Sequence, residues 1–95
     1  MIIVAGWLAV AADRRSAYLD EAAEVVRLAR AAEGCLDFCL SPDPSEPGRI
    51  RVDERWADRA TLDAFRGDGV QGEQAAAVQA ADVAEFEIIG ELRPG

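Results

Sequence analysis

The 95-residue chain contains no histidine. That absence removes the commonest general base near neutral pH, the commonest metal ligand and the usual proximal ligand of haem. Cysteine is scarce too: Cys35 and Cys39 are too few for a disulfide scaffold. Their Cys-x-x-x-Cys spacing is not that of redox motifs, and no imidazole or further thiol completes a tetrahedral metal site, so both are expected as small core residues. Positive charge is in deficit, with ten Lys plus Arg against eighteen Asp plus Glu and a net charge of −8. A surface that acidic repels phosphate backbones and anionic headgroups, which argues against nucleic acid and membrane surfaces as partners. A long apolar run is also missing, because Met1 to Val10 is too short to cross a bilayer and Ala-Ala-Asp-Arg-Arg follows it. No basic region, apolar core and cleavage site open the chain, so it reads as a soluble, cytoplasmic protein. What is present is a 51% hydrophobic content, enough for the core of one domain over residues 1–95. A chain this short buries only about two-thirds of its unfolded surface, so association would add stability.

The segment Ile2-Ile3-Val4-Ala5-Gly6-Trp7-Leu8-Ala9-Val10 is nearly continuous in apolar side chains, the pattern of a strand covered on both faces. Asp13 is placed to cap a helix over about residues 14 to 33, with Tyr18, Ala22, Val25, Ala29 and Ala32 on one stripe and Gly34 as its left-handed stop. Cys35 to Leu40 alternates with a period of two and sets Leu36, Phe38 and Leu40 on one face of a strand. Three of the four prolines fall in Ser41 to Gly48, a hairpin loop. In the strand Arg49 to Trp56, parity joins Glu54 to Ile50, Val52 and Trp56 and sets Arg51 and Arg55 on the other face. Asp58 caps a short helix through about Phe65, a second short helix is expected from about Val70 to Ala80, and the last strand runs from Asp82 to Gly90.

The order βαββααβ is that of an α+β, ferredoxin-like fold: a four-stranded antiparallel sheet with helices on one face. Ile3, Ala5, Trp7 and Ala9 point away from Ile2, Val4, Gly6 and Leu8, so the first strand is apolar on its uncovered side as well. The bare face is expected to pack against the same face of a second copy.

The opening Met-Ile-Ile-Val-Ala-Gly strand, Glu33-Gly34-Cys35-Leu36-Asp37-Phe38, the Pro-rich loop ending at Gly48, and Glu54-Arg55-Trp56-Ala57-Asp58 with Leu62 and Phe65 resemble the antibiotic biosynthesis monooxygenase family. The resemblance spans essentially the whole chain. It implies a dimeric α+β barrel, two sheets packed face to face, with a pocket between sheet and helices in each subunit. Among the activities it implies are cofactor-free oxygenation of polycyclic phenols and haem degradation. The haem-degrading branch uses a histidine ligand, an aromatic residue before it and a first-strand asparagine. This chain has no histidine, carries Phe65 where that branch has tryptophan, and offers Gly6 and Trp7 on its first strand, so haem degradation is disfavoured.

A cofactor-free oxygenase needs an apolar slot, a base and a group that stabilises an anion. Trp56, Phe65, Phe38 and Phe86 are the candidate substrate-binding side chains, with Leu36 beside them. Glu54 is the candidate base, because burial beside Trp56 would raise its pKa, and Tyr18 is a candidate hydrogen-bond donor to a phenol. Each has a structural alternative: Glu54 as a paired carboxylate, Tyr18 and the aromatics as core. No cofactor and no metal is expected. Two functions stay open, a monooxygenase of an aromatic polyphenol or quinol and a non-catalytic dimer that binds a small hydrophobic aromatic ligand. The run Glu85, Glu87 and Glu91 reads as a solvated or interfacial edge.

Overall fold

The computed structural model describes residues 1–67 and 76–94. Four strands, β1 (Ile2–Ala9), β2 (Cys35–Pro42), β3 (Arg49–Trp56) and β4 (Ala80–Glu87), and two helices, α1 (Arg15–Ala31) and α2 (Arg59–Gly67), follow in the order β1-α1-β2-β3-α2-β4. The sheet order is β2-β3-β1-β4, and every neighbouring pair is antiparallel. Each helical crossover therefore skips one strand, which is the ferredoxin-like arrangement the sequence predicts. The larger part of the helix expected over residues 70–80 lies outside the described residues, and Ala80 already belongs to β4.

One face of the sheet carries the core. Ile2 and Val4 of β1, Phe38 of β2, and Val52 and Trp56 of β3 are buried there with Ala29 of α1 and Leu62 of α2. Alanines at 22 and 29 are the fully buried positions of α1, and their small side chains let the helix axis lie close to the sheet. The cap at Asp13 does not form, because Ala12–Arg14 makes a 3-10 turn and α1 starts after it with no side-chain cap. The N-terminal end of α1 is held instead by Arg15, whose guanidinium donates to the carbonyls of Asp43, Glu46 and Arg49 in the hairpin loop.

Two glycines shape this frame. Gly34 has φ +82° after α1, and a Cβ there would lie 2.3 Å from Thr61 Oγ1, so the turn into β2 and the seat of α2 both depend on it. Gly6 has φ +153°, and a Cβ would fall 1.9 Å from the Asp82 carbonyl oxygen, which lets β4 close against β1. At the start of α2 the expected cap is present: the Asp58 carboxylate accepts from the Thr61 amide at 2.9 Å.

Two strand expectations change. The β2–β3 register skips a residue between Cys35 and Asp37, so Leu36 is the extra residue of a bulge and stands 56% exposed rather than beside Phe38. Cys35 consequently packs at the core opposite Trp56, whereas Cys39 pairs with Asp53 on the uncovered face and is not a core residue. The last strand ends at Glu87, seven residues after Ala80, and its parity has consequences for the site.

Candidate active site

Strand alternation puts Glu54 between Val52 and Trp56 on the helix-covered face, with Phe38 opposite it on β2 and Val4 opposite it on β1. Trp56 is fully buried, and its indole N–H donates to Glu54 Oε1 at 3.0 Å. Phe65 reaches down from α2, its ring centroid 5.3 Å from that of Trp56 and 6.1 Å from that of Phe38, the second pair edge to face. Four sequence-predicted residues, Glu54, Trp56, Phe65 and Phe38, thus meet in one cluster.

Glu54 is half-buried, and burial pushes its carboxyl pKa up. The Trp56 N–H and the positive charge of Arg66 pull the other way, and the negative charge of Glu85 adds to the rise. Desolvation outweighs the single hydrogen bond, so the carboxyl takes and releases a proton closer to neutral pH than an exposed glutamate does.

The structure separates the other two candidates from this cluster. Tyr18 lies in the first turn of α1, eleven residues before the Ala29 that packs beside Trp56, or about 16 Å along the helix axis. Burial raises the pKa of its hydroxyl, but the helix places it toward the Leu8 end of the sheet, away from Glu54. Phe86 pairs with Ile3 on the uncovered face and is 51% exposed, so it stands on the opposite side of the sheet from Trp56. Its neighbour Glu85 takes the covered face, opposite Val4. Glu85 is exposed on the edge strand, as the solvated-edge reading expects, and both Arg59 and Arg66 of α2 pair with its carboxylate.

Arg59, Arg66 and Glu85 are the site residues that the sequence reading missed. A signal was available, since Arg59 and Arg66 are seven apart and so share one face of α2. The fold was needed to bring that face over β4. On the uncovered face Arg51 and Arg55 stand as expected. Arg55 is 3.6 Å from Asp37, and the Arg49 guanidinium lies 4.2 Å over the Trp7 ring.

A cavity of about 580 Å³ lies elsewhere, between α1 and the edge strand β2, lined by Leu19, Ala22, Val26, Leu40 and Pro42, and holds none of the predicted site residues. Among the described residues no group of three or more Cys, Asp or Glu side chains is arranged to hold a metal ion, and no helix is long and apolar enough to cross a membrane.

Solved structures share this architecture. A Deinococcus radiodurans protein superposes with a TM-score of 0.80 at 19% identity, over 98% of this chain and 97% of its own. A solved antibiotic biosynthesis monooxygenase gives 0.77 at 23% identity, over 95% of this chain and 100% of its own. Rv0793 from Mycobacterium tuberculosis gives 0.76 at 20% identity, over 97% and 98%. No curated protein matches in sequence. The family model for antibiotic biosynthesis monooxygenases matches residues 1–81, the segment that builds β1 through the start of β4 and holds Glu54, Trp56 and Arg66; the chain belongs to that family.

Proposed function

We propose that the protein is a cofactor-independent monooxygenase of an electron-rich phenol or quinol, with Glu54 as its base. The observation that carries this reading is the half-buried carboxylate, raised in pKa by burial and held at one oxygen by the Trp56 indole. That bond takes Oε1 and leaves Oε2 to receive a proton. Phe38 flanks Glu54 on the β2 side, the fully buried Val4 flanks it on the β1 side, and Trp56 follows it along the strand.

Dioxygen reacts slowly with closed-shell organic molecules, and an anion of an electron-rich ring is a far better electron donor to it. Transfer of the substrate proton to Glu54 forms that anion. In an anthrone-type substrate the ring methylene then gains one oxygen atom as a carbonyl, and the second oxygen leaves as water with the two hydrogens. A carboxylate whose pKa burial has raised suits the first step, since it takes a proton more readily than an exposed one does.

The dimer belongs to the same proposal. Ile3 and Phe86, Ala5 and Ala84, and Trp7 form a largely apolar half of the uncovered face along β1 and β4, with Asp82 opposite Trp7 as its one acid. Two copies sharing that face would bury it as a barrel interior. A second reading, a non-catalytic dimeric binder of an aromatic ligand, is favoured by the complete burial of Trp56, which makes that residue core rather than pocket wall.

Oxygen uptake separates the two. Metal-free protein incubated with hydroxylated anthrones and hydroquinones is expected to consume oxygen as quinone absorbance grows. Binding of a panel member with no uptake above buffer across the panel would favour the binder.

A further inference from the structure

The Glu85 carboxylate has two cationic partners where one would neutralise it. Arg59 and Arg66, two turns apart on α2, both donate to it. Arg59 has a further acidic neighbour, Asp63, at 3.7 Å. Arg66 is therefore the cation that Glu85 can best release. The pair is also open to water, with the Arg66 side chain 42% and the Glu85 side chain 32% exposed, and exposed pairs contribute little to stability. A change of partner at Arg66 meets little resistance.

Glu85 and Glu54 stand in one row across the covered face, each paired with Val4 of the strand between them. Two strand spacings put their backbones about 10 Å apart. An arginine on α2 that reaches Glu85 thus stands on the same face of the sheet as Glu54, across the fully buried Val4. Its positive charge already acts on the Glu54 carboxyl.

We infer that Arg66 is an exchangeable anion clamp: when a neutral phenol or enol enters, Arg66 leaves Glu85 to Arg59 and pairs with the oxygen that Glu54 deprotonates. In that step the substrate O–H bond breaks, the proton goes to Glu54 Oε2, and the bonding electron pair stays on the substrate oxygen. Glu54 becomes neutral as the substrate becomes an anion, so the total charge of the site is unchanged and Arg66 keeps one anionic partner throughout. Glu85 holds the arginine in place while the site is empty. The ligand class follows from the chemistry: a phenol or enol with a removable proton, and not its methyl ether. The inference rests on Glu54 as the base.

The test is an anaerobic titration with 4-nitrophenol, whose anion is coloured, and with 4-nitroanisole, its methyl ether, as the control for an intact site. At a pH where free 4-nitrophenol is mostly protonated, wild-type protein is expected to bind it with the phenolate absorbance. Arg66→Gln is expected to lose at least tenfold in 4-nitrophenol affinity and the phenolate band, with 4-nitroanisole binding unchanged. Glu85→Gln is expected to bind 4-nitrophenol several-fold more tightly, because Arg66 no longer has an internal carboxylate to leave. Arg66→Gln that keeps wild-type affinity and the phenolate band overturns the clamp, as does an equal loss for both probes. Oxygen uptake on the anthrone and hydroquinone panel is followed in parallel. Turnover that survives Arg66→Gln undiminished overturns the clamp and leaves the oxygenase reading standing. Arg66-dependent phenolate formation without any turnover supports the clamp and removes the oxygenase reading.

Discussion

At the scale of single residues, the chemistry turns on what Trp56 does for Glu54. A buried indole N–H needs an acceptor and a half-buried carboxylate needs a donor, and the two satisfy each other at 3.0 Å. The bond does not offset the loss of hydration, so the Glu54 pKa in the folded chain lies above its unfolded value. Between those two values the folded chain binds more protons than the unfolded one, and stability falls as pH rises through that window. Glu54→Gln cannot ionise and its amide oxygen still accepts from Trp56. This variant is expected to melt above the wild type at neutral pH and to match it in acid below both pKa values. Thermal melts at the two pH values check this, and an equal shift at both would contradict it. The pairing of Glu54 with Trp56 was legible from a period of two along β3. The pairing of Glu85 with two arginines was not, because hydrophobicity assigned Phe86 to the inside. Opposite charges on α2 reverse that choice, and only the tertiary fold brings them to β4.

At the scale of elements, the fold depends on a few backbone positions that no periodicity reports. The alternation of Cys35 to Leu40 is regular in sequence, yet one extra residue at Leu36 shifts the register, returning Cys35 to the core and turning Leu36 out. Nothing in the residue types marks that bulge. Gly34, by contrast, was legible as a helix stop, and the structure adds that its missing side chain makes room for Thr61 of α2. Gly34→Ala meets both a left-handed backbone and that contact, so a loss of about 2 kcal/mol or more is expected. Urea unfolding measures it, and a loss below about 0.5 kcal/mol would mean that α2 shifts freely. Because α2 carries Phe65, Arg59 and Arg66, the same substitution is expected to disturb the site from a distance. The helix boundaries were legible to within two residues at each end of α1, and the error at its start came from Asp13, which turns within a 3-10 segment instead of capping.

At the scale of the whole molecule, both α1 and α2 of the described residues pack on the same side of the sheet. The extents of 39 × 31 × 20 Å are those of a two-layer slab. On the bare side β1 and β4 present Ile3, Ala5, Trp7 and Phe86, and β2 and β3 present Asp37, Arg51, Asp53 and Arg55. A stable interface generally buries more than about 1,200 Å², which a face of four strands can supply. Light scattering is expected to give twice the 10.2 kDa of one chain. Phe86→Asp, an exposed position whose change leaves the covered core untouched, is expected to shift the mass toward one chain. A wild-type mass of one chain at micromolar concentration would contradict the dimer. The sequence showed an apolar bare side in β1 alone; β4 hid it, since it turns Ala84 and Phe86 out beside Asp82 and sets Glu85 and Glu87 with Val83 on the helix side.

The central claim is that a carboxylate does the work for which the chain has no imidazole. Oxygen consumption by metal-free protein on an oxidisable anthrone or hydroquinone, wild type beside Glu54→Gln, tests it most directly. The account predicts uptake by the wild type and a rate lower by at least two orders of magnitude in the variant. An equal rate in both would contradict it.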